Sequence, residues 1–556
     1  MKMIYKYSIA IFSALLLLSG CSEEWLEEQP PHLITTESLY TTYDGFETGL
    51  NGLYALVREE REGRSGTNYL RAEMFMNGTD NMVANHRDGF ARVAEDWVAQ
   101  NTPFNSDIES TFNWLYRTIN AANTIINQAE NRDDVDWSGS TGTEEENKNR
   151  ILAEAKAIRA WAYRHLTNSW GDVPLSLEES LGSTVRTDWE RAPVTDVRNQ
   201  MKSDWLFAEK HLSVEPPVQG KISKGAVQHY LAELYLVLDK ADSALYWADQ
   251  CINTPAYQLI TERYGVKSSE LGVPFMDMFY DGNSNREEGN SEALWVWQWE
   301  YETIGGGGSI MRRWHNTRFA DISVGGVRPL QYTIERGGRG LARMSLTKWG
   351  IDNYEPGDDR ASNFAIRKYF ILKDAMQNAP ASADRLPDGY QYGDTIHLSW
   401  SNDITASSKN RRDWPFSRKW ESTIETNMQE AAQYNDQVYL RLAETYLLKA
   451  EAQLLLGSPG EAAQTINIIR ERSNASPVSA GDIDIDFILE ERSRELLCEE
   501  HRRYTLLRTG KWLERVKMYN HNGGQVAREI DQLFPIPQSV IDANLTQEMP
   551  QNPGFN

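Results

Sequence analysis

Apolar side chains recur along this chain mostly at helical spacing. Ala226, Val227, Tyr230, Leu231, Leu234, Val237 and Leu238 share one broad face at about 100° per residue. Asp239-Lys240 interrupts that stripe, and Ala241, Leu245, Ala248 and Ile252 start another; Ala241, Ala244 and Ala248 let two helix axes approach closely. The layout returns near the C-terminus. Val438, Tyr439, Leu442, Ala443, Tyr446, Leu447, Ala450 and Leu454 make a face, with Arg441, Glu444 and Glu451 opposite. Gly457-Ser458-Pro459 stops that helix, and Glu461 to Arg472 fold back as its partner.

Both hairpins have tetratricopeptide character, but more than 180 residues separate them, so the pattern does not describe a continuous tandem solenoid. Further helices are predicted at Phe46 to Val57, Asp107 to Glu130, Asn147 to Asn168, Val194 to His211 and Phe487 to Lys517. From about Pro255 to Gln433 the pattern changes: glycine runs at 305–308, 325–326 and 337–338, many Asn, Asp and Ser, and short strand-like runs such as Leu294 to Trp299. Long irregular segments in a compact protein are usually functional. The expected fold is mostly α, a helical scaffold of tetratricopeptide-like pairs with a loop-rich, irregular ligand-binding region. Its divisions are a 32–254 helical region, a 255–433 loop region and a 434–556 helical region.

The first residues read as a targeting signal. Lys2 and Lys6 precede a short apolar run, Ser8 to Leu18, too short to span a bilayer. It ends in Leu18-Ser19-Gly20-Cys21, which resembles the lipobox of bacterial lipoproteins. The resemblance implies a signal peptide over 1–20, cleavage before Cys21 and acylation of Cys21, hence a lasting anchor. An acidic tether follows over 21–31, ending in Pro30-Pro31, and resembles the surface-export signal of Bacteroidetes lipoproteins.

A formal charge of −23 argues against nucleic acid or an anionic membrane surface as the main partner, and three cysteines exclude a disulfide-dense scaffold. Cys251 and Cys498, both on predicted helices, are expected to be buried thiols.

Four ordered motifs carry a family resemblance. Ala153-Glu154-Ala155-Lys156-Ala157-Ile158-Arg159-Ala160-Trp161-Ala162-Tyr163 precedes Trp170-Gly171-Asp172-Val173-Pro174-Leu175. Tyr439-Leu440-Arg441-Leu442-Ala443-Glu444 leads to Ala450-Glu451-Ala452 and Ile469-Arg470-Glu471-Arg472. Glu491-Arg492-Ser493-Arg494-Glu495-Leu496 comes with His501-Arg502 and Arg508-Thr509-Gly510-Lys511, and the chain closes on Leu533-Phe534-Pro535-Ile536-Pro537 and Gln551-Asn552-Pro553-Gly554-Phe555. Together they resemble SusD/RagB-type nutrient-binding outer-membrane lipoproteins. Glu500 stands where that family usually has Gly, and Thr505 where it usually has Asp, which puts the local helix geometry in question. Glu491, Arg492, Arg494, Glu495, Glu499, Arg502 and Arg503 suit ion pairs at i, i+3 and i, i+4, and four prolines near the end suit an extended wrap.

The resemblance implies a non-catalytic protein without a cofactor. It further implies oligosaccharide binding at the outer face of the outer membrane and delivery to a SusC/RagA-type TonB-dependent transporter. Sugar rings stack on aromatic planes while Asp, Asn and Arg orient hydroxyls. Two regions hold that mixture. The first, Gly78 to Arg87 with Trp97, offers Asp80, Asn81, Arg87 and Trp97; ordinary loop stabilisation is the plainer reading. The second, Trp295 to Tyr301 and on to Asn316, offers Trp299, Tyr301 and Trp314 beside the glycine run, while Trp295 and Trp297 are expected in the core.

Asp281, Asn283, Asn285 and Glu292 match positions of a calcium loop, but Arg286 stands where the sharp turn needs glycine, so a plain polar loop is preferred and no metal is assigned. Asp482, Asp484 and Asp486 read as a helix entry. Eighty acidic residues leave a surface glycosidase, with two carboxyls at working separation, as an alternative, and a scaffold that binds only protein as another.

Overall fold

A computed structural model describes residues 35–63, 69–85, 89–182, 186–375, 383–400 and 411–555. The main helices are α1 (Tyr43–Arg58), α2 (Ser106–Asn131), α3 (Glu144–Trp170), α4 (Val194–His211), α5 (Lys224–Val237), α6 (Ala241–Ile252), α7 (Leu442–Leu455), α8 (Pro459–Arg472), α9 (Ile485–Glu495), α10 (Arg502–Arg508) and α11 (Trp512–Tyr519). Local chemistry sets many of their ends. Asn105 caps α2 by accepting from the Asp107 and Ile108 N–H groups, Thr143 and Glu146 form a capping box on α3, and Pro459 opens α8. Asp484 caps α9 through the Phe487 N–H, so the Asp–Ile alternation is indeed a helix entry.

The two distant hairpins meet. Helices α2 to α8 pack in chain order, each against the next, and α6 lies directly against α7. The solenoid that the sequence pattern does not show is therefore continuous in space, with residues 255–433 inserted between two adjacent helices. Small residues make the junction close: Ala232, Ala244, Ala248 and Ala452 are buried there with Leu236 and Leu448. Helix α3 is buried on almost every side, and its charges are compensated inside the array. Arg159 pairs with Asp204 at 2.8 Å and Arg164 with Glu233 at 2.6 Å.

The insertion is built on short antiparallel pairs: β1 (Met82–Ala84) with β3 (Met344–Leu346), β2 (Ala293–Trp297) with β8 (Gln437–Arg441), β4 (Ile366–Arg367) with β7 (Phe416–Ser417), and β5 (Tyr369–Ile371) with β6 (Thr395–His397). The β2–β8 pair ties the insertion to α7. Trp295 and Trp297 enter the main core, as expected, and Trp297 stacks on Tyr439 with centroids 3.9 Å apart.

The predicted Phe487–Lys517 helix is three helices. The chain breaks between α9 and α10, where Cys498 takes φ 65°, and again at Gly510 with φ 68°. Cys498 thus sits in the break, not on a helix; both Cys251 and Cys498 are free and buried, and burial pushes each thiol up to about 12. Breaking the helix also redirects its charges. Arg494 pairs with Glu490 and Glu491 within α9, and Glu500 takes Arg492 and Arg502 nearby, but the other partners are distant in sequence. Glu491 meets Arg360 and Arg470, both at 2.7 Å, while Glu495 meets Arg441 at 2.6 Å and Arg360 at 3.1 Å. Arg441 and Arg472 also hold Glu292, at 2.8 and 2.9 Å.

The two departures from the family pattern are one interaction: the Thr505 hydroxyl donates to Glu500 at 2.6 Å, and Arg492 donates to the same oxygen at 2.7 Å.

The proline-rich terminus does wrap the surface, fastened by amide side chains. Gln551 exchanges two 2.7 Å bonds with the Ile536 backbone, and Asn552 donates to the Trp170 and Phe534 carbonyls.

Candidate functional site

The first expected region is packed into the scaffold. Gly78, at φ 66°, lies against Trp97, where a Cβ would come within 2.8 Å of the ring. Asp80 is fully buried and accepts from Arg502 at 2.9 and 2.7 Å and from Arg515 at 2.7 Å. Burial alone would push the Asp80 carboxyl up; the two guanidinium groups outweigh it and hold it below its ordinary value. Asn81 donates to the Ser493 hydroxyl at 3.0 Å. Asn520 donates to the Thr79 and Met82 carbonyls, and the Trp512 indole donates to the Gly78 carbonyl. Trp97 is buried edge-on to Trp512, with the Arg503 guanidinium 5.2 Å above its ring. The partners of this loop come from 493–522 and from the β3 side, where the Thr347 hydroxyl donates to the Asp80 carbonyl at 2.6 Å and the Asn85 N–H donates to the Arg343 carbonyl at 2.9 Å. Arg87, like the expected signal peptide, Cys21 and the expected acidic tether, lies outside the described residues.

The second region separates into a buried part and an exposed part. Trp314 is enclosed, with Arg343 4.5 Å over its ring. Trp299 forms the floor of a turn. Asp436 accepts from its N–H at 2.9 Å, Arg58 lies 5.4 Å over its ring, and the same guanidinium donates to the Gln298 and Gly305 carbonyls. Gly307, at φ 66°, runs so close above Trp299 that a Cβ would meet the ring at 3.2 Å and Glu62 at 2.4 Å. The glycine run therefore covers Trp299 and lifts the turn before it into solvent. Tyr301 is 40% exposed and Ile304 fully so.

Tyr301 meets Tyr434 edge to face, centroids 4.9 Å apart. Tyr434 reaches that place because residues 309 and 433 bond reciprocally, Ser309 N–H to the Gln433 carbonyl at 3.0 Å and back at 2.7 Å. Arg312 pins the same loop by donating to the Glu430 and Ala432 carbonyls, and burial brings its pKa down to about 9. Glu302 and Glu430 stand beside the two phenols, and Gln429, next to Glu430 in the chain, is bonded to Arg339 at 3.2 Å. The hydrogen bond between Tyr301 and Glu302 raises the phenol, so it stays protonated and able to donate at neutral pH. This ledge offers two aromatic faces with amide, carboxylate and guanidinium groups at the rim. Tyr434, Arg58, Glu302 and Glu430 are members that sequence reasoning missed; Tyr434 sits in a short polar stretch before β8 with no periodicity to mark it.

The calcium-like loop is otherwise engaged. Asn283 donates to the Asp277 carbonyl and accepts from the Val266 N–H, Asn285 caps a short turn and binds Asp436, and Glu292 pairs with Arg441 and Arg472. Among the described residues no group of three or more His, Cys, Asp or Glu side chains is placed to hold a metal ion.

A helical array with an inserted loop face that presents an aromatic ledge defines a scaffold-type binding protein. Comparison with known proteins agrees with that class. The SusD family model matches residues 291–555, and a second model, described as starch-binding associating with outer membrane, matches 24–236. The chain belongs to the SusD/RagB family. It is 24% identical to the SusD-like protein P25 of Formosa agariphila over 92% of this chain and 91% of that one. Among solved structures it resembles a laminarin-binding SusD-like protein (TM-score 0.67, 22% identity, 93% of this chain and 100% of that chain). It also resembles the surface glycan-binding protein A of Bacteroides fluxus (TM-score 0.66, 17% identity, 92% and 99%).

Proposed function

We propose that this protein captures an oligosaccharide at the outer-membrane surface, without transforming it, and passes it to a SusC/RagA-type TonB-dependent transporter. The observation that carries the reading is the ledge: exposed Tyr301 against half-buried Tyr434, held by the glycine run and the Arg312-pinned loop, makes a fixed aromatic surface at the insertion. Stacking on such a surface is tolerant of sugar orientation, and the surrounding Glu, Gln and Arg groups supply hydroxyl partners. The names of the second family model and of the two solved relatives, which speak of starch, laminarin and surface glycan, support a carbohydrate ligand. Residues 255–433 supply the ligand face, and within the expected site the contact falls on Tyr301, with Trp299 beneath it. An acylated Cys21 holds the chain to the membrane.

The test is calorimetric titration of the detergent-extracted chain, in a non-glycosidic detergent, against plant, host and microbial oligosaccharides. Binding to one class that Tyr301→Ala weakens at least ~10-fold, about 1.4 kcal/mol, supports the reading. No binding to any class would sink it. Co-purification with a barrel protein from native membranes tests the delivery step.

A further inference from the structure

We infer that the cleft between α2, the 174–189 segment and the C-terminal wrap is a second, separate subsite for a neutral oligosaccharide; this rests on the glycan reading above. The cleft has a volume of about 610 Å³, within the range of small-ligand sites. A second hollow of about 510 Å³ adjoins it along α2, and the two share Glu109 and Asn113 as their common wall. A chain of several sugar rings has room to lie across both.

The aromatic wall is fixed from behind. Asn544 accepts from the Trp189 N–H at 2.7 Å and donates to the Trp189 carbonyl at 2.9 Å, so one amide side chain clamps the Trp189 backbone from both sides. Thr546 repeats the arrangement on Thr187, donating to its carbonyl from the backbone N–H at 2.9 Å and from the hydroxyl at 3.0 Å. The terminal wrap thus holds the tryptophan in place before any ligand arrives, which cuts the ordering cost of binding. Across the cleft, the Tyr116 hydroxyl donates to the Pro174 carbonyl at 2.7 Å, which orients a second ring.

The polar groups select for a neutral ligand. Arg186 stacks 4.0 Å over Trp189, and its charge is met by Asp188 at 3.0 Å. Glu109 accepts from the Ser539 hydroxyl at 2.6 Å. The Asn113 amide and the Ser176 and Ser180 hydroxyls have no protein partner among the described residues, and these are the groups that pair with sugar hydroxyls. The cleft lies on the helical array and shares no lining residue with the Tyr301 ledge.

Titration of the full detergent-extracted chain with starch- and laminarin-derived oligosaccharides tests this. Two sites per chain are expected. Trp189→Ala should remove one and leave the affinity of the other, whereas Tyr301→Ala should remove the opposite one. Asn113→Trp, on an exposed helix position, should fill the cleft and reproduce the loss without disturbing the packed Trp189. Two sites surviving both cleft variants, or one site abolished by Tyr301→Ala alone, overturn the second subsite and leave the ledge intact. One site abolished by the cleft variants and untouched by Tyr301→Ala overturns the ledge instead. No binding by the unsubstituted chain overturns both.

Discussion

The loop from Gly78 to Asn85 and the turn from Trp299 to Gly308 contain the same kinds of residues, yet one is sealed and the other open. Asp80, Asn81 and Trp97 are covered because α10, α11, the end of α9 and Thr347 beside β3 close over that loop. Around Trp299 the covering element is the chain's own glycine run, which has no side chains with which to extend the cover over Tyr301. Residue type suits a side chain for sugar or for a salt bridge equally well; which one it serves depends on what a segment some 400 residues away brings to it.

The sharpest way to break this comparison is Asp80→Ala. It removes the carboxylate that Arg502 and Arg515 share, leaving them Glu500 at 3.4 Å and Asp486 at 3.1 Å, and removing one partner of a buried pair costs about 3–5 kcal/mol. Denaturant unfolding should show that loss, with oligosaccharide affinity unchanged in the protein that remains folded; a stable variant with lost affinity would return Asp80 to the ligand site.

Next in size is Glu73, buried behind the same loop, where desolvation pushes the carboxyl from its ordinary 4.5 up to about 8. Between those values the folded chain keeps a proton that the unfolded chain releases, so stability falls as pH rises through this window. Glu73→Gln should flatten that slope and raise the Tm at pH 8 more than at pH 5. An unchanged pH profile would refute the assignment.

Tyr301→Ala acts in the opposite sense, at least ~10-fold on binding with a stability change within about 0.5 kcal/mol, as expected of a surface side chain. Comparing melting curves with titrations of one preparation separates the two. The smallest effect expected is Thr505→Val, about 1 kcal/mol for one lost buried hydrogen bond, with ligand affinity unchanged.

Much of the fold was legible because helical periodicity and caps are local. Val194–His211 matches its expected limits, and α1, α2 and α3 differ from theirs by a few residues at each end. Trp295 and Trp297 were readable as core because strand alternation put them on one face. The Phe487–Lys517 helix was not, since its break at Cys498 and the outward reach of Glu491 and Glu495 answer to arginines at 360, 441, 470 and 472. The ledge was half legible: Tyr301 stood out beside the glycine run, while Tyr434 needed the reciprocal 309–433 pairing to bring it there.

Periodicity, capping residues and the four ordered motifs were thus enough to determine a mostly helical scaffold, its inserted loop region and its family, because each depends on residues a few positions apart. Tertiary structure alone decided that the two hairpins form one array, that Asp80 and Trp97 belong to the interior, and that Tyr301 faces solvent while Tyr434 and Trp189 stay half-buried. Exposure is settled by which distant segment arrives to cover a side chain, and nothing in a residue's own neighbourhood along the chain encodes that arrival.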